Sequence, residues 1–324
     1  MEYSNIPTKK NFSEMRIVFF GTPEFAVASL AALVEDGQQV VAVVTMPDKP
    51  AGRNHRLLQS DVKKYALANN LPLLQPGNLK DPEFIRQLRE LEADLFVVIA
   101  FRMLPEAVWS MPPKGTFNLH ASLLPKYRGA APINRAVMNG ETRTGVTTFF
   151  LKHEIDTGDI IDREEIEIGP EENVGEIHDR LMELGASMVV RTVREIEAGT
   201  VKTTPQPEGD FTPAPKIFRE DCLIDWNRDA SSIHNHIRGL SPYPAAYSLL
   251  IEEGGRRFDT KIFSSRITDK DAAGMETGKV VVEGKKMFVA TADFMIEIME
   301  LQPSGKKRMD SGAFLLGYNP DRFQ

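Results

Sequence analysis

Apolar residues come in short blocks through the first hundred positions, and the spacing inside the blocks alternates between two periods. "MRIVFFG" (15–21), "QVVAVVT" (39–45) and "ADLFVVIAF" (93–101) are nearly continuous apolar runs, the pattern of strands buried on both faces. Between the first two, "PEFAVASLAALVEDG" (23–37) repeats Phe25, Ala28, Leu30, Leu33 and Val34 near helical spacing, with Pro23 at the start and Gly37 at the stop. A polar loop, a helix after a candidate N-cap Ser60, a short strand near "LPLLQ" (71–75) and a helix at "PEFIRQLREL" (82–91) continue the alternation. Such a pattern predicts an α/β fold with a doubly wound, mostly parallel sheet, whose ligands bind beyond the carboxyl ends of the strands.

The period changes further along. "NVGEIHDRLMELGASMVVRTVREIEAG" (173–199) is a long helix candidate, and "TVKTTPQPEGDFTPAPKI" (200–217) then packs four Pro into a polar stretch, the composition of a linker. Beyond it, "DASSIHNHIRGL" (229–240) reads as a helix capped by Ser or Asp, while "KVVVEGKKMFVAT" and "FMIEIMELQ" read as short strands separated by Gly. That is the pattern of a small antiparallel barrel or sandwich. The expected organisation is an N-terminal extension (1–14), a first domain (15–200), a linker (201–216) and a second, smaller domain (217–324).

Composition narrows the class without naming it. The 324 residues are 42% hydrophobic and 26% charged, enough for sizeable cores in an ordinary globular chain. No apolar run is long enough to span a bilayer, so no membrane partner is expected. "MEYSNIPTKKNFSEM" lacks the apolar core of a signal peptide, and Glu2, Glu14 and the lack of Arg before Arg16 argue against a transit peptide. Cys222 is the single cysteine; with no internal disulfide to form, a reducing, cytoplasmic setting is expected. The net charge of −7 argues mildly against a nucleic-acid partner. Its distribution tempers that: 1–216 hold 24 Lys and Arg against 30 acids, 217–324 hold 15 against 16. Basic clusters also stand out at "KPAGRNHRLLQSDVKK" (49–64), "GKK" (284–286) and "GKKRM" (305–309). One short cluster alone is ordinarily a solvated face.

Some chemistries are disfavoured. Gly21 follows the first strand, but the G-x-G-x-x-G spacing of a dinucleotide fold is absent. The six His are scattered, and one Cys gives no zinc spacing, so no metal is expected. The stretch "FNLHASLLPKYRGAAP" (117–132) is different, because Asn118 and His120 alternate with Phe117 and Leu119 and so share one strand face. An isolated Asn-x-His is better explained by a turn cap and a satisfied histidine. Two features tip the balance. "SLLPKYRG" follows at once, a loop able to fix a backbone edge for a flat ligand, and "HEIDTGDI" (153–160) supplies Asp156 and Asp159 around Gly158. Asn is a neutral donor suited to an oxyanion, His moves protons near neutral pH, and Asp orients the His. With no Ser–His pairing or reactive Cys in view, that set suits direct attack by an amine on an activated carbonyl.

"NLHASLLPKYRGAAP" resembles the Asn-x-His-x-Ser-Leu-Leu-Pro signature of enzymes that use 10-formyltetrahydrofolate. "FGTPEFA", "TMPDKPAGR", "TGVTTFFLKHEIDTGDII" and "LQPSGKKRM" narrow the resemblance to the methionyl-tRNA formyltransferase family, from about Met15 to near Phe314. The resemblance implies a Rossmann-like catalytic domain and a smaller oligonucleotide-binding-type (OB-like) β-barrel that binds tRNA; a monomer is expected. It implies formyl transfer from the co-substrate 10-formyltetrahydrofolate to the α-amine of methionine on initiator tRNA. Asn118, His120 and Asp156 match the family's catalytic trio. Ser122, Leu123, Leu124 and Pro125 match its folate-binding segment, and Val97 to Leu104 should help form the pterin pocket. "MPDKPAGRNHRLLQ" (46–59) matches a loop that enters the tRNA acceptor arm, with Arg53 at its key basic position and Lys49 and Arg56 beside it. Tyr-Gly usually follows the fourth strand in the family; here Phe101 and Arg102 stand there, in a segment one residue shorter.

Three rivals remain on the sequence alone. Another formyltransferase on the same domain would act on an amino sugar or a glycinamide nucleotide. A folate hydrolase would replace the amine with water. A noncatalytic RNA-binding protein could keep the fold, but would have no reason to keep Asn118, His120 and Asp156 together. The loop at 46–59 and the domain at 217–324 favour tRNA over the first two.

Overall fold

The computed structural model describes residues 14–51, 56–207, 209 and 211–324, with the side chains of Ala51 and Arg56 also outside the description. The N-terminal extension therefore lies outside the described residues except for Glu14. Packing divides the chain into two units. One gathers 14–125, 145–164 and 180–209; the other gathers 126–144, 165–179 and 211–324.

The first unit is built on a seven-stranded sheet. Its order is Ile160–Glu167, Arg143–Phe150, Thr116–His120, Leu95–Ile99, Arg16–Gly21, Gln39–Val44 and Leu73–Leu74. The four pairings from Thr116–His120 to Leu73–Leu74 are parallel, while Thr116–His120 meets Arg143–Phe150 antiparallel. Every residue of Leu95–Ile99 and all but the first of Arg16–Gly21 are buried, which is why both strands read as unbroken apolar runs. Val18, Phe20, Phe96 and Val98 share one cluster with Phe84 and Leu88 of the helix Pro82–Glu90. On the other face, the helix Val174–Ala198 comes so close at Gly185 that a Cβ there would lie 2.6 Å from Leu119 Cδ2. Ser60 caps the helix Asp61–Ala68 by accepting from Lys63 N at 3.0 Å.

The loop expected at 46–59 contains a short antiparallel hairpin, Lys49–Ala51 against Arg56–Leu58. Its sequence carries no alternation of apolar and polar positions, so pairing there was not visible from pattern.

The second unit contains a near-closed antiparallel barrel. Its order is Val280–Glu283, Lys286–Ala290, Phe294–Pro303, Arg257–Asp271, Ala246–Glu252 and Pro320–Phe323. A bridge between Lys279 and Arg322, with Phe323 N donating to Gly278 O at 2.8 Å, brings the first and last strands together. Ile262, Met287, Ile296, Ile298, Leu301 and Phe314 fill the interior, and Trp226 stacks on Phe323 with centroids 5.3 Å apart. The helix Ala230–Leu240 sends Ile233, Ile237 and Leu240 into the same cluster and is capped by Asp229.

The proline-rich stretch is pinned rather than loose. Thr204 exchanges two backbone hydrogen bonds of 2.8 Å with Ile160, and Pro213–Ala214 pairs in parallel with Arg128–Gly129.

Candidate active site

The site grows from the end of one central strand. Thr116–His120 is held on both sides, with Asn118 beside Val98 on one neighbour and beside Phe149 on the other. Two ladders fix this backbone, so the directions of Asn118 and His120 are fixed too. Phe117 and Leu119 are buried on the opposite face from these two side chains. His120 is only 6% exposed and Asn118 is half-buried. The Asn118 amide makes no hydrogen bond to protein among the described residues, so its donors are available to a ligand.

Asp156 arrives from the loop after Arg143–Phe150. Its Oδ2 is 3.8 Å from His120 Nδ1, beyond hydrogen-bond range but within reach of an ion pair when the ring is protonated. The two side chains are nearly buried, at 7% and 12% exposure, so solvent screens their interaction weakly. Asp156 has a left-handed backbone with φ of 54°, a conformation Asp tolerates better than most residues. The loop is held from outside: Gln206 Nε2 donates to Asp156 O at 2.8 Å and to Gly158 O at 2.9 Å. Gly158 lies against the preceding strand so closely that a Cβ would sit 1.5 Å from Phe150 O. The structure thus brings Asn118, His120 and Asp156 to one place.

The segment Ser122 to Pro125 follows directly. Thr147, opposite His120 in the antiparallel register, donates its hydroxyl to Ser122 O at 2.6 Å and accepts from Leu124 N at 3.2 Å. Arg163 donates to Leu124 O at 3.0 Å. Ser122 is fully buried and Leu124 packs with Phe149 and Ile160. Leu123 and Pro125 are half-buried, which leaves these two side chains with surface to offer a ligand. Thr147 and Gln206 were not singled out in the sequence. Thr147 stands inside "TGVTTFF" and Gln206 inside the proline-rich stretch, and only the pairing of distant segments reveals what either does.

Beside the sheet end, Val97, Val98, Ile99 and Leu104 are buried. Phe101 meets Phe20 edge-on at 5.7 Å. Arg102 donates to Pro76 O and, at 2.9 Å, to Gly77 O, and burial pushes its guanidinium below its ordinary value. Arg102 therefore ties two loops together, which explains how a long cation is accommodated here.

The basic loop is described only in part. Arg53 and its neighbours 52–55 lie outside the described residues, as does the side chain of Arg56. Lys49 is exposed, and Leu57 and Leu58 are 63% and 62% exposed. At the base of the hairpin Lys63 Nζ donates to Asp48 at 2.7 Å and Gln75 Nε2 donates to it at 3.0 Å. These bonds, Lys63 first, hold the Asp48 carboxyl below its ordinary value.

Comparison with known proteins gives consistent matches. Residues 15–193 match the family model described as formyl transferase, and 216–319 match the one described as formyl transferase, C-terminal domain. A methionyl-tRNA formyltransferase of Bacteroides fragilis is 54% identical over 311 residues, covering 94% of this chain and 96% of its own. That of Flavobacterium johnsoniae is 50% identical over 305 residues, with the same coverage. Among solved structures, the sugar 3N-formyl transferase WlaRD, in the presence of dTDP and 5-N-formyl-THF, aligns with a TM-score of 0.63 at 20% identity. It covers 90% of this chain and 99% of its own. HypX from Aquifex aeolicus in complex with tetrahydrofolic acid aligns with a TM-score of 0.62 at 19% identity, over 94% of this chain and 47% of its own. At such identities these two likenesses speak to the fold alone.

Proposed function

The chain belongs to the methionyl-tRNA formyltransferase family, and from that premise we propose how it formylates initiator methionyl-tRNA. The donor is 10-formyltetrahydrofolate, used as a co-substrate. The methionine amine attacks the formyl carbon, and the carbonyl electrons move onto oxygen to give a tetrahedral intermediate. Asn118 donates to that oxyanion from its side-chain amide. His120 takes a proton from the attacking nitrogen and returns one to N10 as the carbon–N10 bond breaks, releasing formyl-methionyl-tRNA and tetrahydrofolate. Asp156 orients the ring and stabilises the imidazolium formed between the two transfers.

The observation that carries this reading is the grouping of Asn118 and His120 on one strand face, with Asp156 Oδ2 3.8 Å from His120 Nδ1. Residues 15–200 carry the chemistry, with Ser122, Leu123, Leu124 and Pro125 along the folate. Residues 217–324 bind tRNA and 201–216 join the two. Lys49, Arg53 and Arg56 of the 46–59 segment meet the acceptor arm. The enzyme is a cytoplasmic monomer that uses no metal, and its lone Cys222, with no internal partner, suits a reducing setting.

The test offers labelled formyl-folate with initiator Met-tRNA, elongator Met-tRNA and amino-sugar nucleotides in parallel. Label on the methionine of initiator tRNA is expected. Label only on an amino sugar, or only as free formate, would overturn the assignment.

A further inference from the structure

A cavity of about 660 Å³ opens in the second unit and has no part in the chemistry above. Three aromatic rings line it, those of Phe218, Tyr243 and Tyr247. Phe218 is 54% and Tyr243 81% exposed, so neither ring contributes much to a core. Nothing in the barrel requires two large flat faces in water.

Cations surround these rings. The Arg219 guanidinium lies over the Tyr247 ring at 5.3 Å, and Lys216 Nζ lies over Phe218 at 5.5 Å. Lys261, exposed, lines the cavity and donates to Pro244 O at 3.3 Å. The turn at Pro303 to Gly305 forms another wall, closed by Gln302 Nε2 donating to Lys306 O at 2.7 Å. That turn carries Lys306 and Lys307, both exposed, which accounts for part of the basic cluster "GKKRM". The lining acid, Asp259, is occupied by Arg219 at 3.0 Å. Tyr243 takes part in no aromatic pairing or cation–π contact among the described residues.

Flat faces interleaved with cations suit a single strand of nucleic acid, in which bases stack and phosphates meet lysines. A regular double helix offers no base face to stack on, and an apolar peptide has no use for the lysines. We propose that this cavity is a subsite for an unpaired nucleotide of RNA, with Tyr243 as its stacking face and Lys261 and Lys306 toward its phosphates. The subsite rests on the reading of tRNA as substrate, and it names the part of that RNA taken here as unpaired rather than helical.

The test titrates the full-length protein with a short, unstructured, fluorescently labelled oligoribonucleotide and with an RNA duplex of equal length. Tyr243→Ala should weaken single-strand binding roughly fivefold or more, and Tyr243→Phe, which keeps the ring, should retain it. Lys261→Ala should flatten the salt dependence of the same binding. With Met-tRNA, Tyr243→Ala should raise KM and leave kcat unchanged. Parental oligonucleotide affinity in Tyr243→Ala, with Met-tRNA still formylated, would overturn the subsite and leave the function standing. Tighter binding of the duplex than of the single strand would overturn it as well. A parent protein that binds the single strand through Tyr243 but formylates no tRNA would support the subsite and sink the functional reading instead.

Discussion

Thr147 stands opposite His120 across the antiparallel pair and donates its hydroxyl to the Ser122 carbonyl at 2.6 Å. One side chain thereby fixes the turn that leaves the strand of Asn118 and His120, since it also accepts from Leu124 N. Thr147→Val keeps the shape and removes both bonds, leaving the buried Leu124 N–H without its acceptor and taking one donor from the Ser122 carbonyl. The expected cost is about 1–3 kcal/mol of stability, together with a fall in kcat/KM as the segment beside His120 loosens. Denaturant unfolding and steady-state formylation of the same preparation check it; parental values in both would show that the bonds do not matter.

The proposed roles of Asn118, His120 and Asp156 predict a rate defect with binding intact. Loss of one oxyanion donor commonly costs about 10²–10³ in rate, and Asn118→Ala should lose at least that. His120→Ala and Asp156→Asn should show comparable losses. Single-turnover formylation, with folate affinity measured separately, reads both quantities, and near-parental rates would remove these residues from the mechanism.

Arg53 lies outside the described residues, so its prediction rests on the family resemblance of the 46–59 loop. Arg53→Ala should reduce efficiency with Met-tRNA and weaken its dependence on salt, because phosphate contacts release counterions. Folate affinity should not change. Equal efficiency of mutant and parent across a range of salt would reject a role in gripping the acceptor arm.

What could be read from the chain and what could not divides along range. Ser60 was visible as a cap, and the cap of 229–240 as a Ser or Asp that the structure resolves to Asp229, because a cap is a local contract between a side chain and the next turn. Asn118 and His120 were visible because a strand's period of two puts them on one face. Thr147 was not, because it acts on residues 23 and 25 positions away. Gln206 was hidden further still: its contacts lie 48 and 50 positions back, and it stands in a stretch whose four prolines mark it as a connector. The expected linker is in fact tied down at Thr204, Gln206 and Pro213–Ala214, and composition cannot report such pairing.

Gly158 offers a test of how the Asp156 loop is placed. A methyl group there would sit 1.5 Å from the Phe150 carbonyl oxygen, and a backbone oxygen in a strand cannot move aside as a flexible side chain would. Gly158→Ala should therefore cost stability at the upper end of roughly 1–3 kcal/mol. Activity should fall by more than stability explains, since the displaced loop carries Asp156. Wild-type melting and turnover would show that the loop relaxes freely.

Acid should act on the second unit through Asp229. Its carboxylate accepts from Ser232 N at 2.8 Å and from the Ser232 hydroxyl at 2.7 Å, capping the helix Ala230–Leu240 that feeds Ile233, Ile237 and Leu240 into the barrel core. The bond from the Ser232 hydroxyl, then that from its backbone N–H, holds the carboxyl below its ordinary value. A carboxyl depressed by folding stabilises the fold fully above its unfolded value, near about pH 4. That contribution is lost as pH falls through the lower folded value. Asp229→Ala should cost about 1 kcal/mol at neutral pH, and the gap between mutant and parent should narrow as pH drops below that window. Asp229→Asn, which caps without titrating, should hold its advantage over Asp229→Ala at low pH. Thermal unfolding of the three proteins across acid pH decides the matter, because a gap between parent and Asp229→Ala that stays constant would mean the cap does not depend on the charge.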